Sequence, residues 1–306
     1  MNILSITTSH DATTAFISAG KLKYFAKEER LSKEKHDKGC TKCLDYIIKN
    51  NFKVDLAILN STTIPNPLHE QFLEPLIRKQ FDCEVVHLNW EHHLSHACLA
   101  YHNSNFDEAL VLVADRHGST SELVSEVESI FKFDREYNIK ALYKNFALSR
   151  LGDVDIDNDV MKFIRKYQID NPLAEIKTNT AYGTTHVYES ATTLIGEHVL
   201  NNGKTMGLAS YGKDSEFKDL FHNGLADSGL FMKVNSDHGW RVLLKEHYLK
   251  ETQKVSETNY QFYADYCYQV QKQTQDQILN LIKKYVDKTN IKKVCVTGGY
   301  GLNVVT

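Results

Sequence analysis

The sequence lacks the features that would place the chain in a membrane, outside the cell or on nucleic acid. No apolar run approaches the ~18 residues that a transmembrane helix needs. The N-terminus has neither the basic region nor the cleavage site of a signal peptide. The 36 basic and 39 acidic residues leave a net charge of -3, so there is no overall basic field for nucleic acid. We therefore expect a cytoplasmic protein with no membrane partner and no nucleic-acid partner.

Paired cysteines are also scarce. Of the 6 cysteines, only Cys40 and Cys43 form a CxxC pair. A structural zinc site would need a second pair, which the sequence does not contain. Disulfides are not expected in a cytoplasmic protein. The sequence thus predicts two unpaired thiols near the start of a helix.

The order of predicted strands and helices repeats along the chain. A length of 306 residues exceeds what one compact core usually holds, so two lobes are expected. The first hundred residues indicate three meander strands followed by helix, strand, helix, strand and helix, and three meander strands begin again at Ala109. A repeated β-β-β-α-β-α unit is the plan of the α/β actin-like ATPase fold, a duplicated ribonuclease H-like fold. We predict a first lobe over residues 1–105 and a second lobe, with insertions and an incomplete end, over residues 106–306.

Individual elements are predicted from hydrophobic periodicity and from helix start and stop signals. The predicted strands cover residues 2–8, 12–18, 22–26, 54–59, 84–88, 109–115, 122–133, 139–145 and 292–297, the last as a buried strand. The predicted helices cover residues 40–50, 66–81, 90–101, 182–200 and 260–288. Residues 213–257 are predicted to form an irregular surface excursion. Alternating aspartates from Asp153 to Asp159 lack the glycine and the bidentate glutamate of a calcium loop, so a solvated acidic stretch is predicted there.

The segment Glu91–Ala97 carries three of the 14 histidines. His92 and His96 are four residues apart, which puts two imidazoles on one helix face, close enough to bind one metal ion. The predicted strand that ends at Asp115 can supply a carboxylate as a third ligand. The alternative is an ordinary histidine pair on a helix surface or in a packed core. His93 is expected to point off the metal face and to be structural.

A glycine-rich turn follows the last predicted strand. Gly298 and Gly299 stand between a strand and a helix start, which is the geometry that exposes backbone N–H groups to a phosphate. Many tight strand-to-helix turns carry glycine without a ligand, and that alternative stays open. A second glycine-rich segment, Gly203–Gly212, does not have the spacing of a Walker A loop.

Five motifs, in this order, resemble those of the carbamoyltransferase family that includes NodU, CmcH and nebramycin 5′ synthetase. The motifs are His10–Ala15 (HDATTA), Lys27–His36 (KEERLSKEKH), His92–Ala97 (HHLSHA), Gly203–Gly212 (GKTMGLASYG) and Val296–Asn303 (VTGGYGLN). They span nearly the whole chain, so the resemblance is specific. It implies the actin-like (ASKHA) fold and a role for each matching residue.

The resemblance implies metal, catalytic and nucleotide-binding positions. A divalent metal, usually iron(II) in the family, would be held by His92, His96 and Asp115. His10 and Lys35 match catalytic positions near the carbamoyl group and the reacting phosphate. The remaining matches are to nucleotide-binding positions, namely Gly203, Lys204, Gly298, Gly299 and Asn303.

The implied reaction is O-carbamoyl transfer. A carbamoyl group would pass from carbamoyladenylate, made from carbamoyl phosphate and ATP, to a hydroxyl of a small-molecule acceptor. A metal held by imidazoles and a carboxylate can act as a Lewis acid, and an imidazole with a pKa of ~6.5 suits His10 to take the acceptor proton. Two alternatives stay open: a non-catalytic remnant that binds nucleotide or metal, and another actin-like ATPase or kinase. The paired histidines argue against a kinase, because phosphotransfer to a sugar relies on magnesium and a catalytic carboxylate.

The sequence departs from the family pattern around and after the predicted metal ligands. The family continues its aspartate ligand as D-G-x-G-E, whereas this chain has Asp115-Arg116-His117-Gly118-Ser119, so the glutamate is missing and the loop is bulkier. A further aspartate ligand and a YrdC-like domain that makes carbamoyladenylate are expected downstream, and neither is in this sequence. We therefore expect a fragment, or a protein that has lost its C-terminal part, that works with a downstream or separate YrdC-like partner.

Overall fold

The computed structural model describes residues 1–305 except 9–10, 36, 63–65, 122–123, 137, 149–155, 180–182, 200, 215–216, 218, 223–224, 228, 237–238 and 246–258. The chain divides into two compact units. One comprises Met1–His92 with Ser119–Ser121, and the other comprises His93–Gly118 with Glu122–Thr306. The lobe boundaries at residues 1–105 and 106–306 stay a prediction.

The first unit is built on a five-stranded sheet. Its strands are β1 (Asn2–Thr8), β2 (Thr13–Ser18), β3 (Lys21–Lys27), β4 (Leu56–Ser61) and β5 (Glu84–His87), in the order β3-β2-β1-β4-β5. The first three pair antiparallel, and β4 and β5 add in parallel beside β1. Ala19 and Gly20 both have positive φ, 49° and 72°, the conformation that a two-residue hairpin turn between β2 and β3 requires.

Three helices accompany this sheet. They are α1 (Glu28–Ser32), α2 (Thr41–Lys49) and α3 (Glu74–Phe81), the last preceded by a π-helical turn at His69–Leu73. Alternate residues of β1, Leu4 and Ile6, are fully buried and belong to the same core as Ile47 of α2 and Ile77 of α3. The predicted strand and helix order of the first hundred residues is confirmed, with the short helix α1 as an addition that was not predicted.

The second unit has its own five-stranded sheet. Its strands are β6 (Glu108–Ala114), β7 (Val124–Asp134), β8 (Ile139–Leu148), β9 (Glu175–Asn179) and β14 (Val294–Thr297), in the order β14-β6-β7-β8-β9. Strands β6, β7 and β8 form an antiparallel meander, while β14 pairs in parallel with β6 and β9 with β8. Because β14 is an edge strand, Val296 stays 41% exposed, and the prediction of a buried strand there was wrong.

The same strand plan occurs in both sheets. In each, an antiparallel meander comes first, and a later strand joins the first meander strand in parallel: β4 joins β1, and β14 joins β6. Helices separate the meander from the parallel strand in both units. This duplicated plan is that of the actin-like ATPase fold, so the predicted α/β fold class is confirmed.

The described residues of the remaining chain form five α-helices. They are α4 (His92–Ser104), α5 (Ile156–Asp170), α6 (Thr184–Leu194), α7 (Asn202–Ala209) and α8 (Tyr260–Thr289), followed by a short 3-10 turn at Gly299–Leu302. Residues 157 and 159 of the predicted solvated acidic stretch lie in the first turn of α5, and the solvation of the stretch stays a prediction. Asp153 and Asp155 lie outside the described residues.

Residues 213–257 were predicted as a surface excursion, and the described part of this segment contradicts that prediction. It contains β10 (Phe221–His222), β11 (Leu225–Ala226), β12 (Phe231–Ser236) and β13 (Gly239–Leu244), paired as two hairpins. Leu230, Phe231 and Val242 are buried in one core with α6 and α8. The apolar runs Leu230–Met232 and Val242–Leu244 are only three residues long, which is a weak sequence signal, and only tertiary contact shows that they contribute to the core.

Helix α8, with 30 residues, is the longest of the described helices. Tyr263, Tyr266, Cys267 and Val270 are buried on it, so two of the aromatic residues near its start are core residues, whereas Tyr260 and Phe262 are exposed. In the part of the chain that the structure describes, no helix combines the length and the apolar character that crossing a bilayer requires.

Candidate metal centre

Helix α4 and the end of β6 bring three candidate ligands together. His92 and His96 are one helical turn apart on α4, and Asp115 directly follows β6. One donor atom from each lies within 4.8 Å of the other two. His96 Nε2 is 3.3 Å from Asp115 Oδ2. Two ligand atoms that are each ~2.1 Å from one ion are roughly 3.0–3.4 Å apart at ligand angles of roughly 90–109°. The spacing of His96 and Asp115 therefore already suits two ligands of one ion.

The chemistry of this donor set fits a divalent transition metal. Two imidazoles and one carboxylate that leave other coordination positions open form the set typical of non-haem iron(II), and zinc accepts the same donors. All three side chains are partly buried, so they are accessible to an ion without being fully solvated. The donor set fits iron(II) and zinc alike.

Backbone N–H groups hold the carboxylate of Asp115. Its Oδ1 accepts hydrogen bonds from the N–H of Arg116 at 2.8 Å and from the N–H of Gly299 at 3.3 Å. The other oxygen, Oδ2, is the one that faces His96. The two N–H donors thus fix which carboxylate oxygen is presented to the metal position.

The glycine turn reaches Asp115 only because it lacks side chains. Gly298 has a φ of +86°, and a Cβ there would lie 2.4 Å from the carbonyl oxygen of Ala114. A Cβ on Gly299 would lie 3.0 Å from Asp115 Oδ1. The nucleotide-binding prediction for these two glycines stays a prediction, while the structure gives them a contact with the candidate metal ligand that the sequence did not indicate.

His93 has a structural environment, as its spacing on the helix predicts. It is fully buried, and its Nδ1 is 2.6 Å from Ser129 Oγ. Its ring packs so closely on Gly118 that a Cβ at Gly118 would lie 2.5 Å from it. The prediction that His93 is structural is confirmed.

The loop after Asp115 is anchored by an ion pair that sequence reasoning missed. Arg116 Nε is 2.5 Å from Glu189 Oε2, and its Nη2 is 3.2 Å from Oε1. Glu189 lies on α6 and is buried. A separation of 73 residues leaves no local pattern that could have linked the two side chains.

Helix α6, which carries Glu189, is itself held by a buried carboxylate. Glu128 Oε1 on β7 accepts hydrogen bonds from both the N–H and the hydroxyl of Thr184, each at 2.7 Å. Its Oε2 accepts one from Asn145 Nδ2 at 2.9 Å. A carboxylate at a helix N-terminus is favoured by the helix dipole and satisfies an otherwise unbonded N–H. Glu128 therefore fixes where α6 begins.

The other predicted nucleotide-binding residues lie on two different elements. Gly203 and Lys204 are exposed on α7, with open space beside Gly203. Asn303 donates from Nδ2 to Gln271 Oε1 at 2.9 Å, and the same oxygen accepts the hydroxyl of Tyr188 at 2.8 Å. Asn303 is thus tied directly to α8 and, through Gln271, to α6.

The predicted catalytic residues belong to the first unit. His10 lies outside the described residues. Lys35 is exposed and lines an open cavity of about 440 Å³, whose other lining residues are Asp11, Glu29, Arg30 and Lys33. Three of these five side chains are basic, so the cavity suits an anionic group such as a phosphate. The catalytic role of Lys35 stays a prediction.

Comparisons with known proteins point to one family. The family described as Carbamoyltransferase N-terminus matches residues 57–306. Nodulation protein NolNO from Sinorhizobium fredii is 22% identical across 97% of this chain and 41% of its own length. Uncharacterized protein MJ1058 from Methanocaldococcus jannaschii is 25% identical across 71% of this chain and 31% of its own length. The chain therefore spans less than half the length of these curated relatives.

Solved structures add only distant similarities. The Lmo2764 protein from Listeria monocytogenes is 9% identical, with a TM-score of 0.40 over 98% of this chain and 84% of its own. YeaZ from Pseudomonas aeruginosa is 10% identical, with a TM-score of 0.29 over 50% of this chain and 73% of its own. These scores are too low to support an argument, so the fold assignment rests on the strand order. Because the family match extends over residues 57–306, the chain belongs to the Carbamoyltransferase N-terminus family.

Proposed function

We propose that this chain is the metal-binding, acceptor-side part of a cytoplasmic O-carbamoyltransferase. It would transfer a carbamoyl group from carbamoyladenylate, made from carbamoyl phosphate and ATP, to a hydroxyl of a small molecule. The observation that carries the proposal is the convergence of His92, His96 and Asp115 within 4.8 Å in a chain of the carbamoyltransferase family. A downstream or separate YrdC-like domain would supply the carbamoyladenylate.

The proposed reaction is an acyl-type substitution at the carbamoyl carbon. The acceptor oxygen forms a bond to that carbon, the bond from the carbon to the phosphate oxygen breaks, and AMP leaves with the electron pair. The hydroxyl proton passes to a base, for which His10 is the candidate, since an imidazole exchanges protons near neutral pH. The products are the O-carbamoylated acceptor and AMP.

His92, His96 and Asp115 would hold a divalent ion, with iron(II) as the first candidate. When bound, such an ion supplies Lewis acidity that polarises a carbonyl or phosphate oxygen or lowers the pKa of a hydroxyl. The chain's own contribution is orientation. The N–H groups of Arg116 and Gly299 hold Asp115 Oδ1, so that Oδ2 stays directed toward His96.

The predicted binding residues would hold the anionic donor. The basic side chains around Lys35, namely Arg30 and Lys33, suit the reacting phosphate by charge. The turn at Gly298 and Gly299, together with Asn303, Gly203 and Lys204, is proposed to meet the nucleotide. The hydrogen bond from Asn303 Nδ2 to Gln271 Oε1 at 2.9 Å supports a fixed orientation of the Asn303 side-chain amide.

Metal content of the purified chain tests the proposed centre. We expect about one iron or zinc ion per wild-type chain by elemental analysis, and a large loss in His92→Ala. The matched control is His102→Ala, which removes an exposed histidine from the same helix and should leave metal content unchanged. Absence of metal from the wild-type chain after anaerobic loading with iron(II) or zinc would count against the centre and favour a non-catalytic remnant.

Transfer itself is tested with pre-formed carbamoyladenylate. The metal-loaded chain is incubated with the donor and a panel of hydroxyl compounds, and AMP release is followed together with the mass of the acceptor. A gain of one carbamoyl group on a hydroxyl compound, lost in His92→Ala and kept in His102→Ala, supports the proposal. AMP release with no modified acceptor would indicate hydrolysis rather than transfer.

A further inference from the structure

A buried ion pair anchors the loop that follows the candidate metal ligand Asp115. The first residue of this loop is Arg116. Its guanidinium forms two hydrogen bonds to the carboxylate of Glu189, at 2.5 and 3.2 Å. Both partners are shielded from solvent, since the side chain of Arg116 is 24% exposed and that of Glu189 is 1% exposed.

The same residue connects this ion pair to Asp115. The backbone N–H of Arg116 donates to Asp115 Oδ1 at 2.8 Å, while its side chain is fixed on α6 through Glu189. The position of α6 is fixed in turn by Glu128, which bonds the N–H and hydroxyl of Thr184. A planar guanidinium bound in a two-point fashion has little rotational freedom. The residue whose backbone N–H orients Asp115 is thus itself fixed, through its side chain, by the buried carboxylate of Glu189.

We propose that the Arg116–Glu189 ion pair positions Asp115 for metal binding, and that Arg116 and Glu189 are positioning residues of the centre. This inference rests on the proposed metal centre. The pair fixes the residue after Asp115 through a side-chain contact to α6. Groups that orient metal ligands typically change metal affinity by about 10–100-fold when they are removed.

A purely structural role makes a different prediction. A buried ion pair that only supports the fold would, when broken, lower the free energy of unfolding and leave the metal affinity of the folded chain unchanged. A positioning pair would change the affinity and the ligand field of the bound ion even where the chain is fully folded. Affinity and spectrum therefore separate the two roles.

The decisive variant is Glu189→Gln, which keeps the size of the side chain and removes its charge. We expect the dissociation constant for zinc, measured by chelator competition on the folded 306-residue chain, to rise about 10–100-fold. With cobalt(II) as the probe, the visible absorption bands should shift, because Asp115 is no longer held in one orientation. The matched control is Glu175→Gln, which breaks the Lys284–Glu175 ion pair on β9, at the opposite edge of the sheet from β14. It should change neither quantity.

A second variant keeps the test decisive if Glu189→Gln folds poorly. The double variant Arg116→Gln with Glu189→Gln removes both charges, so no unpaired buried charge remains. It should be folded by circular dichroism and should still bind zinc about 10–100-fold more weakly than wild type. Wild-type affinity and spectrum in a folded double variant would overturn the positioning role and leave the metal centre standing. No metal binding by the wild-type chain would overturn both, so the two failures are distinguishable.

Discussion

The two five-stranded sheets share one strand plan but differ in how deeply they are buried. In the first sheet, the outer strand β3 leaves Leu22 and Phe25 more than half exposed, at 61% and 60%, and the core residues of its unit form one cluster with α2 and α3. In the second sheet, all residues of Val124–Phe131 on β7 are buried. Alternate residues of β6 belong to two different cores, one with α6 and α8 and one with α4. The second sheet is therefore covered on both faces.

Because the second sheet is covered on both faces, its polar side chains need hydrogen-bond partners within the protein. A polar side chain on the first sheet can face water, whereas one on β7 or β8 must find a partner inside. Glu126 pairs with Lys144, and Glu128 bonds Thr184 and Asn145. The same strand plan thus forms a partly solvated layer in the first unit. In the second unit it forms a sealed sheet, meaning one whose polar side chains are buried and paired with each other. The candidate ligand Asp115 follows the first strand of the sealed one.

The largest expected loss of unfolding free energy comes from breaking the buried Lys144–Glu126 ion pair of the second sheet. Lys144→Met leaves the charge of Glu126 buried without its partner, and both side chains are at most 1% exposed. We expect the free energy of unfolding, measured by urea denaturation, to fall by about 3–5 kcal/mol. A double variant with Glu126→Leu should recover most of this loss, because no lone charge remains.

The control for this prediction is an exposed pair of the first unit. Lys49→Met breaks the Lys49–Asp45 pair on α2, in which both side chains are about half exposed or more. It should cost no more than about 0.5 kcal/mol. If the two variants cost the same, the second sheet is not sealed from water and the comparison between the sheets fails.

An intermediate effect is expected from the two buried carboxylates that bond the starts of helices. Glu28 accepts the N–H groups of Lys42 and Cys43 at the start of α2, at 2.5 and 2.9 Å. Glu128 accepts two hydrogen bonds from Thr184 and one from Asn145. We expect Glu128→Ala to cost about 3 kcal/mol and Glu28→Ala about 2 kcal/mol, since each lost charge-assisted bond leaves a buried donor.

The measurement is again urea denaturation, with the corresponding glutamine variants as controls. Glutamine retains an acceptor oxygen at each position, so both glutamine variants should lose less than the alanine variants. A larger cost for Glu28→Ala than for Glu128→Ala would contradict the view that the second sheet depends more on its internal polar contacts.

The smallest expected effect is a pH dependence that belongs to the first unit. His69 is buried, with its Nε2 2.7 Å from Thr8 Oγ1. Burial, and then the charge of the neighbouring His87, lower the pKa of His69 to about 4. In the unfolded chain the pKa of histidine is ~6.5, so the unfolded state binds more protons between these values. The contribution of neutral His69 to the free energy of unfolding is therefore fully present above about pH 6.5 and is lost as the pH falls toward 4.

The test compares wild type with His69→Gln, which can still bond Thr8 but does not titrate. Between pH 7 and pH 5, wild type should lose about 2 kcal/mol more unfolding free energy than the variant. Parallel stability profiles for the two proteins would show that His69 does not titrate on unfolding. The same loss should appear in the first unit alone if amide hydrogen exchange is followed residue by residue.

Local patterns in the sequence predicted much of the fold and three residues of the centre. The i, i+4 spacing of His92 and His96 places two imidazoles on one face of any helix, and an apolar run places Asp115 at a strand end. These are properties of 3.6-residue and two-residue periodicity, which hold before any tertiary contact forms. The strand plan followed from the same periodicities, including the long helix α8.

Long-range contacts were outside the reach of those patterns. Glu189 is 73 residues from Arg116, and Glu128 is 56 residues from Thr184. Nothing near either glutamate indicates its partner. The buried hairpins around Phe231 and Val242 were missed because their apolar runs are only three residues long. The edge position of β14 was missed because an apolar run does not reveal how many neighbours a strand will have.

The sequence by itself determined most of the elements, the strand plan through its repeated order, and the identities of the candidate metal donors, because periodicity and residue chemistry are local. The tertiary structure alone decided the orientation of those donors. The N–H groups of Arg116 and Gly299 turn Asp115 toward His96, and Arg116 is itself held by Glu189. Orientation needs contacts between residues far apart in the chain, and such contacts exist only after the chain has folded.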